Sequence, residues 1–179
     1  MNTPQALHRH PSSPPSPVAA ISASVQVEPH DLVIQFVVRG HLDAVRWPPR
    51  SDGGTADALW QHTCLEAFIA PETGSAYREF NFSPSGQWAH YAFAAERQRH
   101  VTPPPARAPL LDMRHTAAGY ELVAVLDRAS LPAARALQIG LCAVVESMDG
   151  HTSHWALHHP KDKPDFHDRA GWTLRLPND

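Results

Sequence analysis

Polar side chains that could grip a ligand alternate with aromatic ones between Tyr77 and Trp88. On a strand, Glu79, Asn81 and Ser83 face one side and Phe80 and Phe82 the other. The aromatic side then belongs to a core and the polar side to water or a cleft. The preceding apolar stretch carries Glu66 between Cys64 and Phe68, where an ionised carboxylate is costly unless paired. Carboxylate, amide and hydroxyl groups on adjacent strands match the neighbouring hydroxyls of a polyol as acceptors and donors. Trp60, Trp88 and Trp155, next to this set in sequence, supply flat apolar faces with a polar tip, the other half of sugar recognition. The competing reading is structural: the tryptophans pack the core and the carboxylates pair with arginines such as Arg78. A third is catalytic, with Glu66 and Glu79 as a glycosidase-like pair, which needs a separation of about 5–5.5 Å or about 6.5–9.5 Å.

A second polar segment runs from Thr152 to His167. Five of the 13 histidines fall between His151 and His167, and both lysines are here. His158, His159, Asp165 and His167 are acceptable zinc-type ligands, but their spacing matches no compact zinc motif. Lys161, Lys163 and protonated histidines could instead bind an anion, or the segment is a polar loop anchored by hydrogen bonds. His62 and Cys64 lie two apart with no evident oxyanion hole. No Gly-x-Ser-x-Gly, His-Glu-x-x-His or dinucleotide fingerprint occurs.

The elements that must position these residues read as strands. Ile21, Ala23, Val25 and Val27 alternate with polar residues, and Leu32, Ile34, Phe36 and Val38 continue after a Pro29-His30-Asp31 turn. Further strands are expected over 41–47, 63–70, 77–83, 87–94, 110–115, 120–126, 137–148, 153–157 and 172–176. Pro84-Ser85-Gly86 and Asp149-Gly150 read as tight turns. Residues 48–58 and 95–109 read as loops and 129–136 as a short helical turn. Residues 1–17 hold five prolines, three serines and no apolar rhythm, and are expected to be a disordered tail before a domain spanning 18–179. About ten short antiparallel strands make an all-β protein, a sandwich or barrel.

Composition fits. Of 179 residues, 18 are proline, about twice the usual 5%, which argues against a helical bundle. The formal net charge of −3 argues against a nucleic-acid partner. No run of 18 apolar residues and no signal-peptide pattern is present, so a cytoplasmic protein with Cys64 and Cys142 as buried thiols is expected.

Three blocks resemble the bacterial DOMON-like domains, which are related to family-nine carbohydrate-binding modules. They are Trp60-Gln-His-Thr-Cys-Leu-Glu-Ala-Phe-Ile-Ala70, then Glu79-Phe-Asn-Phe-Ser-Pro-Ser-Gly-Gln-Trp88 with Tyr91, then Ser153-His-Trp-Ala-Leu157 with His159-Pro and Lys163-Pro-Asp-Phe-His167. The resemblance implies a β-sandwich with a ligand pocket, for a sugar or, in some relatives, haem. Glu66, Glu79, Asn81, Ser83, Trp88 and Trp155 match its motif positions, whereas Arg78 and His154 stand where an aromatic residue is expected. Met113 and Met148 could serve a haem but lie outside the matched blocks. The expectation is therefore a non-catalytic domain that binds a small polar ligand, a carbohydrate or glycoconjugate, with no cofactor. Its ligand residues would be Trp60, Glu66, Glu79, Asn81, Ser83, Trp88, Trp155, His159, Asp165 and His167. The alternatives are a sugar-active hydrolase or transferase and a haem or divalent-metal module.

Overall fold

A computed structural model describes residues 3–102 and 104–177. Twelve strands form an open, all-antiparallel sheet: β1 (Gln5–Arg9), β2 (Val18–Val27), β3 (Asp31–Gly40), β4 (Cys64–Pro71), β5 (Tyr77–Phe82), β6 (Trp88–Ala95), β7 (Gln98–Arg99), β8 (Leu110–Thr116), β9 (Gly119–Asp127), β10 (Ala136–Glu146), β11 (Thr152–Ala156) and β12 (Leu174–Pro177). Their order is β7-β6-β5-β4-β10-β11-β1-β2-β3-β9-β8, with β12 also paired to β10.

Alternation sets which face each strand buries. Leu32, Ile34, Phe36 and Val38 of β3 point into the main core with Leu122, Ala124 and Leu126 of β9 and Ile21, Ala23 and Val25 of β2. Leu65, Ala67 and Ile69 of β4, Phe80 and Phe82 of β5, and Leu141, Ala143 and Val145 of β10 meet them in the same cluster. The opposite face of β4, β5, β6 and β10 carries a second cluster, with Phe68, Tyr77, Tyr91, Phe93, Cys142 and Trp172. Strand β10 lies between the two and is buried almost end to end. Both cysteines are free and buried.

The expected tail is different. Gln5–Arg9 is inserted as β1 between β11 and β2, with Leu7 4% exposed in the main core. His10 and Ser13 are also buried; Met1 and Asn2 lie outside the described residues. The expected strand at 41–47 is instead a 3-10 turn over Leu42–Ala44, followed by a single bridge from Val45 to Ser147. Leu42 and Val45 are three residues apart, so a turn, not a strand, aims both at the core. The short helical element after β9 is Arg128–Ser130, whose first turn is capped by Asp127 accepting from the Ala129 amide at 2.7 Å. The 95–109 loop contains the two-residue β7, and Pro103 lies outside the described residues. Gly86 has φ +95°, as the β5–β6 turn requires.

Candidate functional site

A cavity of about 390 Å³ opens on the second-cluster face, over β4, β5 and β6. The register places the acids there. Glu66 pairs with Asn81, Phe68 with Glu79, and Glu79 in turn with Tyr91, so these side chains share one face. Glu66, Phe68, Glu79, Tyr91 and Phe93 line the floor. Trp60, from the 3-10 turn before β4, stands at the rim, 39% exposed and edge-on to Tyr91 at 5.7 Å between ring centroids. Arg97 and Arg99, at the β6–β7 turn, and Pro164 to His167, in the segment between β11 and β12, complete the walls with Val144 and His154.

The floor is acidic and buried. Glu66 is 2% exposed and Glu79 5%. Asn81 donates from Nδ2 to Glu79 Oε1 at 2.9 Å. Glu66 Oε1 and Asn81 Oδ1 are buried with no hydrogen-bond partner. Burial and then the neighbouring Glu79 charge push the Glu66 carboxyl well above the usual range. Burial raises Glu79 to about 7, against the opposing hydrogen bond from Asn81. The Cys64 and Cys142 thiols beneath the floor are pushed up by burial first and by the two glutamates next.

A hydrogen-bonded belt surrounds the acids. The Tyr77 hydroxyl accepts from the Arg97 amide at 3.1 Å and lies 2.7 Å from His167 Nδ1. We assign the Tyr77 proton to that second contact, which puts the imidazole proton on Nε2, 3.8 Å from Glu79 Oε2. Burial lowers His167 to about 4. Asp165 accepts from Arg97 and Lys161 at 2.7 Å each. Tyr91 donates its hydroxyl proton to Asp57, and the Arg99 guanidinium lies 3.9 Å above the Tyr91 ring.

These shifts give stability a defined pH dependence. Glu66 and Glu79 are raised in the folded state, so their contribution is complete below about pH 4.5 and is lost as pH rises. His167 and His90, both lowered to about 4 by burial, act in the opposite direction between about pH 4 and 6.5. Above 6.5 the histidine contribution is complete and no longer changes, and the thiols titrate only above about 9. The melting temperature should therefore fall between pH 6.5 and 8.5, where Glu79 loses the last part of its contribution, about 1 kcal/mol. Glu79→Gln removes that charge and its effect on Glu66, and should flatten the decline. Parallel melting curves for variant and wild type across this range would contradict the assignment.

Trp60, Glu66, Glu79, Asp165 and His167 of the sequence-derived set come together at the cavity. Asn81 lies directly behind it. Ser83 does not reach it: its hydroxyl accepts from the Ser85 amide and hydroxyl at 3.1 and 2.8 Å, holding the β5–β6 turn. Trp88 lines a separate, more open hollow with His90 and Pro104. Trp155 points into the main core, its Nε1 donating to Ser153 Oγ at 3.0 Å. His159 bonds the His8 carbonyl at 2.8 Å and packs on His10. Neither Met113 nor Met148 lines the cavity. Among the described residues, no group of three or more His, Cys, Asp or Glu side chains is gathered to hold a metal ion, so the His158, His159, Asp165 and His167 set is not assembled. Sequence reasoning missed Phe68, Tyr91, Phe93, Arg97, Arg99, His154 and Phe166. Alternation along β4, which puts Phe68 on the Glu66 face, and along β6, which carries Tyr91 and Phe93 onto the Glu79 face, could have found the first three.

No protein-family model and no curated protein matches the chain. The fold is shared by solved structures, among them two with the following likeness to the chain. One is a Bacteroides uniformis protein to which carbohydrate binding has been provisionally ascribed. It is 16% identical at a TM-score of 0.70, over 98% of this chain and 84% of that one. The other is a family-nine carbohydrate-binding module from Caldicellulosiruptor kristjanssonii in complex with glucose. It is 8% identical at a TM-score of 0.54, over 92% of this chain and 78% of that one. At these identities, what the chain shares with both is its all-β fold.

Proposed function

We propose that the protein is a non-catalytic carbohydrate-binding domain, a two-sheet sandwich of the DOMON-like type related to family-nine modules. The cavity over Glu66 and Glu79 takes the sugar. The observation that carries this reading is the meeting, in one cavity of about 390 Å³, of two carboxyl groups with the aromatic side chains of Trp60, Tyr91 and Phe93. Carboxyl groups hydrogen-bond sugar hydroxyls, and aromatic faces accept the apolar face of a pyranose ring. The two structural neighbours support the same class of ligand. Asn81 positions Glu79, and Asp165 and His167 shape the wall.

A glycan array followed by calorimetry on the best hits tests the proposal. Trp60→Ala should weaken binding about tenfold through loss of contact area. Because Trp60 is 39% exposed, its loss should leave the melting temperature nearly unchanged. Glu79→Gln should weaken binding by a similar factor, since each hydrogen bond is worth about 0.5–1.5 kcal/mol and more when charged. Absence of saturable binding to any glycan would overturn the reading. Turnover of chromogenic glycosides that is lost in Glu79→Gln would instead make the acid pair catalytic.

A further inference from the structure

We infer that the sugar bound here carries a free amino group, held as an ammonium against Glu66 and Glu79 on the cavity floor. The inference rests on the carbohydrate reading above and names the class of sugar.

The floor offers acceptors without donors. Glu66 lines the cavity, is 2% exposed, and its Oε1 has no hydrogen-bond partner. Its cross-strand partner Asn81, fully buried behind the cavity, leaves Oδ1 equally unpartnered while Nδ2 donates to Glu79 Oε1. Buried acceptors left in this state are costly, and a buried carboxyl beside a second one doubly so. An ammonium brings three N–H donors and no acceptor, together with the charge the pair lacks. A hydroxyl brings one donor, and an acetamido group one donor, an acceptor and no charge.

Arg97 and Arg99 act on Glu79 through their charge from the rim, but their close contacts are with other groups. Cys64 and Cys142, on β4 and β10, are held as neutral thiols by burial. His167, from the segment before β12, is neutral near pH 7, and His154 of β11 is lowered by burial. Arg97 is engaged by Asp165 at 2.7 Å. Arg99 is stacked on Tyr91, 4.0 Å from Asp57. Both guanidinium groups belong to half-exposed side chains at the rim, whereas the acids are at the floor.

Calorimetry on the full chain at pH 7 with glucose, glucosamine and N-acetylglucosamine, in two buffers of different ionisation enthalpy, tests this. Glucosamine should bind at least tenfold more tightly than glucose, and N-acetylglucosamine no more tightly than glucose. Glucosamine binding should release protons, because the ammonium stabilises the ionised acids. In Glu66→Gln the glucosamine-to-glucose preference should collapse towards one. This ratio reports the charge and not merely the integrity of the site, and a melting curve confirms that the variant is folded. Glucose binding as tight as glucosamine, or a preference unchanged in Glu66→Gln, removes the amino-sugar inference and leaves the carbohydrate reading standing. Failure of every sugar to bind removes both.

Discussion

Deleting residues 1–17 should lower the melting temperature by about 10–20 °C or more. Strand β1 is the link through which β11 pairs onward to β2. Its removal exposes two strand edges and the main-core space filled by Leu7. Truncating a buried leucine costs about 2–5 kcal/mol. The deletion also removes the His10 amide bond to the His154 carbonyl at 2.8 Å, the His10 Nε2 contact with the Lys161 carbonyl at 3.0 Å, and the Ser13 hydroxyl that accepts from the His154 amide at 3.1 Å. Each such bond is worth about 0.5–1.5 kcal/mol. For a domain of this size, 1 kcal/mol moves the midpoint by about 2–4 °C. Calorimetry on the deletion, with Leu7→Ala as the milder partner at about 5–15 °C, checks the claim. A shortened chain that melts within a few degrees of the full one would show that β1 contributes little.

That strand illustrates what the sequence hides. Five prolines and three serines outweigh Met1, Ala6 and Leu7 in any compositional reading of 1–17. Only Leu7 of β1 is buried, so there is no alternation to see. Its partners, Ile21 across β2 and the 155–156 stretch of β11, are supplied by tertiary structure. Strands β2, β3 and β9 were legible because four or five apolar residues in each recur with period two. The site divides in the same way. Glu79 and Asn81 alternate with two phenylalanines, and that pattern alone puts them on the cavity side. Trp155 and His154 invert the expectation. Alternation puts one of them in the core and the other at the cavity wall, and the larger apolar ring takes the core. Arg97 and Arg99 follow a turn in which Arg97 adopts φ 58°, a conformation no side-chain pattern announces.

Trp172→Ala should damage stability and binding together, because Trp172 joins the core to the wall of the cavity. The ring is 1% exposed and stacks on Phe68 at 5.6 Å, with Tyr77 edge-on at 5.1 Å. It lies over Gly140 of β10, where an added Cβ would stand 2.2 Å from its Cδ1, so the missing side chain of the glycine is what seats the indole. Its Nε1 donates to the Phe166 carbonyl at 2.8 Å, fixing the segment that presents Asp165, Phe166 and His167 to the cavity. Removing a buried tryptophan costs about 3–5 kcal/mol, or about 6–20 °C here. The released segment should weaken ligand binding at least tenfold, since a misplaced wall loses several contacts at once. Trp172→Phe keeps the stacking and loses the bond to Phe166, so it should cost less stability while still loosening the wall. Gly140→Ala approaches the same contact from below and should displace the indole, at about 1–3 kcal/mol. Urea unfolding and calorimetric titration of the three variants separate the effects. If Trp172→Ala is destabilised but binds as tightly as wild type, the wall is held instead by the Arg97–Asp165 and Lys161–Asp165 pairs.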